Sequence, residues 1–334
     1  METGRNSRIL IIGGGSWATA LIKILSQNEN NISWWMRDET SIEHLKLHSH
    51  NPKYLQSAEF NTENITISSN LSALIKDAQT IVIAVPSAFV HETFKDITNA
   101  ALQGKIVFSA LKGMIPEMNV IPARYLHKNF GIPYSKIGII CGPCHAEEVA
   151  MERLSYLTVA CSELNVASEM AKKLECRYIR ASVSDDLFGT EFSAILKNVY
   201  ALATGISAGL GYGDNFQAVL ISNSIREIES FIDALHPIHR DTKTSAYLGD
   251  LLVTAYSKFS RNRTFGFMIG KGYSVKAAKL EMNMVAEGYY AVKSLHSIKK
   301  EFKVDMPILE FVYSVLYAGK SAKKELNFLT DKLD

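Results

Sequence analysis

The chain has 334 residues, of which 47% are hydrophobic and 21% charged, so it can bury a sizeable core and is long enough for two domains. A formal net charge of +2 excludes the broad basic surface of a nucleic-acid-binding protein. No segment approaches the roughly 18 apolar residues of a membrane helix, and the polar start lacks the apolar core of a signal peptide. We therefore expect a cytoplasmic protein without membrane insertion.

The first predicted elements are a strand and a helix joined by a glycine turn. An apolar run at residues 8–12 leads into three glycines at 13–15, and an apolar helical pattern follows. In a βαβ unit, Gly13 permits the tight turn, Gly15 lets the backbone approach a pyrophosphate, and the N–H groups that begin the helix favour negative charge. The predicted dinucleotide-binding residues here are Gly13, Gly15, Ser16 and Trp17.

The second predicted strand begins at Ile32 and ends near Arg37 and Asp38, where a Rossmann fold meets the adenosine ribose. An aspartate at this position would accept a hydrogen bond from the 2′-hydroxyl of NAD, whereas an arginine would neutralise the 2′-phosphate of NADP. The pair leaves the choice between NAD and NADP open and favours NADP slightly.

Further strands are predicted from β-branched apolar runs at residues 80–85, 105–110, 136–140 and 156–160. Helical patterns lie between them, for example at residues 72–77 and 91–101. Nearly continuous apolar runs favour a parallel sheet that is covered on both faces. We therefore predict an α/β domain, a Rossmann-like doubly wound sheet, over residues 1–187.

Strand patterns cease beyond Asp186, and long helical patterns replace them. These helices are predicted at residues 188–204, 216–235, 245–257 and 275–300. The second domain, residues 188–334, is therefore predicted to be all-helical, with the active site in a cleft at the carboxyl ends of the strands.

Several polar segments occur where a plain fold would not require them. Lys112-Gly113 and Gly142–Glu148 each follow a predicted strand, and Asp250 shortly precedes Ser260–Arg263. Lys197 lies among mostly apolar neighbours in a helical run, so its ammonium either snorkels to solvent or faces a cleft. An interior lysine near other cations can have a pKa low enough for proton transfer, and the residues alone leave both alternatives open.

Taken in order, the motifs of the chain resemble one family. They are Gly13–Trp17, Asn51–Leu55, Val85–Ser87, Lys112-Gly113, Gly142–Glu148, Leu196–Val199, the glycines from Gly205 to Gly213, Leu248–Leu251, Ser260–Arg263 and Glu287-Gly288. This order resembles the bacterial-type NAD(P)-dependent glycerol-3-phosphate dehydrogenases over nearly the whole chain. The resemblance implies NAD or NADP as cofactor and interconversion of dihydroxyacetone phosphate and sn-glycerol 3-phosphate, usually as reduction that supplies glycerophospholipid synthesis. A homodimer is plausible for such a protein.

The resemblance also implies roles for single residues. Lys197 would donate a proton to the substrate carbonyl oxygen, Lys112 would line substrate and nicotinamide, and Asp250 would balance the positive charge. The implied substrate contacts are Lys112, Gly142, Cys144, Lys197, Asp250, Ser260, Arg261 and Asn262. The implied cofactor contacts, besides the glycine turn, are Arg37, Lys112, Ala146, Arg261, Val285 and Glu287.

Cys144 departs from the serine or threonine that is usual in the family, so a weak thiol replaces a good hydroxyl donor. A thiol at a helix N-terminus near lysine and arginine has a lowered pKa, and we expect Cys144 to be oxidisable. No metal is expected, because His44, His48 and His50 have no carboxylate or cysteine to complete a site.

Two alternatives remain open. The chain could be a related dehydrogenase of the 3-hydroxyacid or 6-phosphogluconate type, which shares the two-domain plan and a catalytic lysine. It could also be a sensor that binds NAD(P) without turnover, although a sensor has no need of Lys112, Lys197 and Asp250 together.

Overall fold

The structure, a computed structural model, describes residues 8–29, 31–282 and 286–334. In these residues the chain forms eight β-strands and sixteen α-helices. The strands are β1 (Ile9–Ile12), β2 (Ile32–Trp35), β3 (Ile65–Ser68), β4 (Thr80–Ile83), β5 (Ile106–Ser109), β6 (Ile137–Cys141), β7 (Ser155–Cys161) and β8 (Ile179–Ser184). The first eight helices are α1 (Ser16–Leu25), α2 (Glu39–His48), α3 (Leu71–Asp77), α4 (Val90–Phe94), α5 (Asn99–Leu102), α6 (Pro122–Phe130), α7 (Ala146–Ala150) and α8 (Leu164–Leu174).

The remaining helices follow the last strand. They are α9 (Leu187–Gly209), α10 (Asp214–Leu235), α11 (Asp250–Tyr256), α12 (Arg261–Gly270), α13 (Val275–Glu281), α14 (Glu287–Glu301), α15 (Pro307–Leu316) and α16 (Ala322–Thr330). The chain divides into two compact units. The sheet unit comprises the chain up to Leu111 together with Pro122–Leu187, and the helical unit comprises Lys112–Ile121 and Phe188–Asp334.

The strands form one sheet in the order β3-β2-β1-β4-β5-β6-β7-β8. Strands β6 and β7 run antiparallel, whereas the other neighbouring strands of the described chain run parallel. Every residue of β1, β2, β4 and β6 is buried, as a sheet covered on both faces requires. The sheet and the helical unit confirm the predicted fold class. The strand order reverses between β1 and β4, which is where such a fold binds its ligand.

The sequence patterns missed β3 and β8. In β3 buried and exposed residues alternate, and β8 is largely exposed after its first residue. Both are edge strands of the sheet, and one has a partly solvated face, so neither has the continuous apolar run on which the prediction depended.

Two helices that were predicted as continuous are interrupted. Residues 91–101 are divided between α4 and α5, and the pattern at residues 275–300 is divided between α13 and α14. Beyond residue 186 the predictions also missed α12, in which glycines at 266 and 270 weaken the helical pattern, together with α15 and α16. Among the helices of the described residues, none is long and apolar enough to cross a membrane.

Candidate active site

The turn between β1 and α1 has room for an approaching anion. Gly13 has a φ of +142°, and a β-carbon there would lie 2.6 Å from the carbonyl oxygen of Ala84, so the turn requires glycine. Gly15 is the N-cap of α1, and a β-carbon on it would meet nothing within 4 Å. Ser16 and Trp17 begin α1, whose first turn contains no acidic residue to repel a phosphate. These residues fit the pyrophosphate of a dinucleotide.

Hydrogen bonds join the end of β2 to this turn. The N–H of Gly13 donates to the carbonyl oxygen of Trp35 at 3.1 Å, and the indole Nε1 of Trp34 donates to the carbonyl oxygen of Gly13 at 2.6 Å. Arg37 follows β2 and is exposed, and Asp38 is the N-cap of α2. The polar residues after β2 are therefore held beside the glycine turn, where the fold binds an adenosine ribose.

Three residues with implied substrate or cofactor contacts follow β6. Gly142 has a φ of +117°, and a β-carbon there would lie 2.9 Å from the carbonyl oxygen of Tyr156, so the backbone itself requires glycine. The Cys144 side chain is 5% exposed, which shields its thiol from oxidants in solution. Ala146 begins α7, which has five residues and offers the thiol only a short helix dipole. Burial of the thiol and the shortness of the helix both weaken the expectation that Cys144 is oxidised.

The helical unit contains a buried ion pair between Lys197 on α9 and Asp250 on α11. The two side chains are 3% and 1% exposed, and the ammonium donates a hydrogen bond to Oδ1 of the carboxylate. Oδ2 of Asp250 has no hydrogen-bond partner among the described residues. A buried carboxylate oxygen without a partner is costly, so this atom indicates a place where a ligand completes the site. The structure also answers the question left open by the sequence, because Lys197 does not snorkel to solvent.

Burial lowers the pKa of Lys197 below the value of an exposed lysine, because removal from water disfavours the charged form. The negative charge of Asp250 raises this pKa, and the positive charge of Lys112 lowers it further. A lysine whose pKa is lowered exchanges its proton closer to neutral pH than an ordinary lysine does. The arrangement is therefore suited to proton transfer.

Lys112 belongs to a short segment that is anchored within the helical unit. Its carbonyl oxygen accepts a hydrogen bond from Nδ2 of Asn198 at 2.7 Å, so the residue after Lys197 fixes the backbone of the second lysine. Farther along the segment, Asn119 Oδ1 accepts a hydrogen bond from the hydroxyl of Ser294 at 2.7 Å. Lys112 and Lys197 are close enough to interact electrostatically. The structure thus brings together the three residues predicted to be catalytic.

The segment predicted to bind the substrate phosphate forms the start of α12. Ser260 is the N-cap, and its hydroxyl accepts a hydrogen bond from the N–H of Arg263 at 3.3 Å. Arg261 is exposed, as a guanidinium that clamps a phosphate would need to be. Asn262 is buried, and its Oδ1 accepts a hydrogen bond from the N–H of Gly288 at 3.0 Å. Ser260 and Asn262 therefore have structural roles besides any contact with substrate.

Of the late cofactor candidates, Glu287 begins α14 in the helical unit, beside the Gly288 that Asn262 contacts. Val285 lies outside the described residues. The structure therefore gives a position for only one of these two candidates.

Four glycines allow α9 and α12 to approach each other closely: Gly205 and Gly209 on α9, and Gly266 and Gly270 on α12. A β-carbon on Gly205 would overlap the carbonyl oxygen of Arg263, and one on Gly266 would overlap the carbonyl oxygen of Leu202. Gly209 and Gly270 meet in the same way, one helical turn farther along. The helix that carries Lys197 and the helix that begins at Arg261 thus touch backbone to backbone.

Two polar residues of this site have no role among the sequence-based predictions. Asn198 is a second polar residue beside Lys197 in a mostly apolar helical run, and its bond to Lys112 explains its presence there. Ser193 lies one turn before Lys197, is 1% exposed, and its hydroxyl has no partner among the described residues. A serine within an apolar helical run is the signal that the sequence offers for this position.

His44, His48 and His50 lie in contact in the sheet unit, with 3.3 Å between Nε2 of His44 and Nε2 of His50. Residues 8–29, 31–282 and 286–334 contain no group of three or more histidine, cysteine or acidic side chains arranged to hold a metal ion.

The sheet unit has a glycine turn that fits a pyrophosphate, and the helical unit has a buried lysine whose pKa is lowered beside a carboxylate. These features define the class of dinucleotide-dependent dehydrogenases.

Comparison with known proteins supports this class and names the family. The sequence model of the NAD-dependent glycerol-3-phosphate dehydrogenase N-terminus matches residues 8–181, and that of the C-terminus matches residues 186–327. The glycerol-3-phosphate dehydrogenase [NAD(P)+] of Limosilactobacillus reuteri is 33% identical over 331 residues, which cover 97% of each chain. That of Agathobacter rectalis is 36% identical over 325 residues, which cover 97% of this chain and 95% of the relative.

A solved structure is similar over the same length. The glycerol-3-phosphate dehydrogenase of Coxiella burnetii has a TM-score of 0.89 and 26% identity, and the match covers 97% of this chain and 99% of the other. The chain therefore belongs to the NAD-dependent glycerol-3-phosphate dehydrogenase family, whose members are NAD(P)-dependent oxidoreductases.

Proposed function

We propose that the chain catalyses the reversible NAD(P)H-dependent reduction of dihydroxyacetone phosphate to sn-glycerol 3-phosphate. The observation that carries this proposal is the buried Lys197–Asp250 pair, in which one carboxylate oxygen has no partner among the described residues. Family membership supports the choice of reaction. Within the pair, Lys197 is a proton donor of the kind that this reaction needs.

A bound nicotinamide cofactor would supply the hydride in reduction and accept it in the reverse direction. Hydride arrival at the substrate carbonyl carbon places negative charge on the carbonyl oxygen. The ammonium of Lys197 stabilises that charge and donates its proton to the oxygen, and in oxidation its amine accepts the proton. The carboxylate of Asp250 stabilises the buried ammonium of Lys197. Its Oδ2 accepts a hydrogen bond from a substrate hydroxyl.

Lys112 has two roles in this proposal. Its positive charge lowers the pKa of Lys197, which eases proton release to the substrate oxygen. Its own ammonium contacts the substrate and the nicotinamide, while Asn198 holds its backbone in place. Arg261 binds the substrate phosphate through its guanidinium fork, together with Ser260 and Asn262.

The remaining assignments follow the family resemblance. Residues 1–187, apart from Lys112–Ile121, form the cofactor-binding domain, and residues 188–334 together with that segment form the substrate-binding and catalytic domain. Gly142 and Cys144 contact substrate. The cofactor contacts are Gly13, Gly15, Ser16, Trp17, Arg37, Lys112, Ala146, Arg261, Val285 and Glu287. The enzyme is a cytoplasmic homodimer, and its product supplies glycerophospholipid synthesis.

The test measures the oxidation of NADPH or NADH after dihydroxyacetone phosphate is added. The readout is the loss of absorbance of the reduced nicotinamide. Lys197→Met should reduce the rate by roughly 10²–10⁴-fold with cofactor affinity unchanged. Lys293→Met, which removes an exposed lysine, is the matched control and should keep the wild-type rate.

Three outcomes would count against the proposal. Turnover of a 3-hydroxyacid or of 6-phosphogluconate in preference to the triose phosphate would favour a related dehydrogenase. Cofactor binding without turnover of any candidate substrate would favour a sensor. Full activity of Lys197→Met would remove Lys197 from the proton-transfer step.

A further inference from the structure

At the end of β2, a lysine from a distant loop is paired with the carboxylate that the fold directs toward the adenosine ribose. We propose that Lys53 is a specificity residue of the cofactor site, which admits the 2′-phosphate of NADP(H) by offsetting the charge of Asp38. This inference rests on the proposed function insofar as that function places a dinucleotide at the glycine turn.

The carboxylate of Asp38 is occupied by neighbouring side chains. Its Oδ2 accepts hydrogen bonds from Nζ of Lys53 at 2.5 Å and from the hydroxyl of Ser41 at 2.6 Å. These bonds hold the pKa of Asp38 down at about 2, with the Lys53 bond as the larger cause, so the residue stays ionised at neutral pH. An unpaired carboxylate here would repel a 2′-phosphate, and the ammonium of Lys53 removes much of that repulsion.

The loop that carries Lys53 is fixed to the glycine turn by Asn51. Asn51 is 1% exposed, and its Nδ2 donates to the carbonyl oxygen of Gly14 at 3.1 Å and to the hydroxyl of Thr19 at 2.9 Å. Its Oδ1 accepts hydrogen bonds from the backbone N–H of Lys53 at 3.0 Å and from that of Tyr54 at 3.2 Å. The position of Lys53 is therefore tied to the same turn that fits the pyrophosphate.

Lys53 brings the side-chain charges near this point into balance. Arg37 and Lys53 contribute two positive charges, and Asp38 and Glu39 contribute two negative charges. Glu39, the next acidic residue, accepts a hydrogen bond from the hydroxyl of Ser69 at 2.9 Å. The side chains of Lys53 and Asp38 are 61% and 41% exposed, so a nucleotide phosphate can reach them. The pair thus explains how a chain with an aspartate after β2 can still accept NADP(H).

The test uses two probes that lack nicotinamide, adenosine 2′,5′-bisphosphate and 5′-AMP, and measures their Kd by titration calorimetry. Lys53→Gln should raise the Kd of the bisphosphate roughly fivefold to twentyfold, while the Kd of 5′-AMP stays within about twofold. Asp38→Asn in the Lys53→Gln background should restore most of the lost affinity. Lys173→Gln breaks another lysine–carboxylate pair of the sheet unit, with Glu29 at 2.7 Å, and should change neither Kd.

An equal loss for both probes, no loss for either, or no restoration by Asp38→Asn would overturn the inference. The reduction of dihydroxyacetone phosphate with NADH is measured on the wild-type protein. Turnover by the wild-type protein together with any of those results would overturn the role of Lys53 and leave the proposed function intact. If the wild-type protein binds neither probe, the proposed cofactor site is overturned, and the role of Lys53 with it.

Discussion

The ammonium of Lys197 is hydrogen-bonded to one oxygen of Asp250, while the other oxygen of the same carboxylate has no partner among the described residues. Asp250 raises the pKa of Lys197, and Lys112 lowers it. The pKa of Lys197 therefore depends on two residues that shift it in opposite directions.

This opposition predicts opposite changes in the pH profile of reduction. Reduction needs protonated Lys197, so its rate falls as pH rises through the pKa of that residue. Asp250→Asn should move the fall to lower pH and reduce kcat on the order of 10²-fold, whereas Lys112→Gln should move it to higher pH. The midpoint of kcat against pH is the measurement, and shifts in the same direction would contradict the assignment.

Two glycines of the cofactor turn should respond differently to alanine. Gly13→Ala combines a φ of +142° with a β-carbon 2.6 Å from a carbonyl oxygen, so it should lower the free energy of unfolding by roughly 2–4 kcal/mol. Gly15→Ala meets nothing within 4 Å and should keep nearly wild-type stability, yet its methyl group would obstruct a pyrophosphate. Urea denaturation and NADPH titration distinguish the two effects. Wild-type NADPH affinity in Gly15→Ala would place the pyrophosphate elsewhere.

The backbone contact between α9 and α12 should be intolerant of a single methyl group. Gly205→Ala would overlap the carbonyl oxygen of Arg263, and we expect a loss of roughly 2–4 kcal/mol in the free energy of unfolding. Gly213→Ala is the control, because a β-carbon there meets nothing within 4 Å and its loss should stay under about 1 kcal/mol. Equal stability of the two variants would show that the helices separate at little cost.

A buried glutamate should make folding stability depend on pH. Glu227 lies in the helical unit and accepts hydrogen bonds from the hydroxyl of Tyr200 at 3.1 Å and from the N–H groups of Ile308 and Leu309 at the start of α15. Burial raises its pKa from 4.5 to about 7, despite these bonds. The folded state therefore holds this proton more tightly than the unfolded state does.

The stabilising contribution of that proton is complete below about pH 4.5 and is lost as the pH rises to about 7. Its size is on the order of 3 kcal/mol. Glu227→Gln, which cannot ionise, should flatten the decline of the free energy of unfolding between these pH values. Urea denaturation across this range measures the effect, and parallel curves for wild type and variant would refute it.

The sequence predicted those parts of the fold in which local pattern and burial agree. Strand β4 is buried throughout and appears in the sequence as an unbroken apolar run, whereas β8 is largely exposed and has no such run. The patterns likewise predicted α9 from its many apolar residues, which are buried in the structure. Helix α12 was not predicted, because glycine has a low helix propensity.

The site was predictable in its residue types and not in its contacts. Lys197 and Asp250 are separated by 53 residues, and family resemblance rather than periodicity linked them. Asn262 was expected at the substrate, yet its bond to Gly288 depends on where α14 begins. Likewise, the bond from Asn198 to Lys112 joins residues 86 apart, a distance at which local pattern carries no information.

The short stretch Lys112–Ile121 belongs to the helical unit although strands of the sheet unit precede and follow it in the chain. The polypeptide therefore leaves the sheet unit at Leu111, returns at Pro122 and leaves again after Leu187. Splitting the gene at residue 187 would yield a C-terminal fragment with Lys197 and Asp250 but without Lys112 or the acceptor for Asn198. Chimaeras made by exchanging whole C-terminal halves between relatives would inherit that mismatch, so a functional exchange must carry residues 112–121 with it.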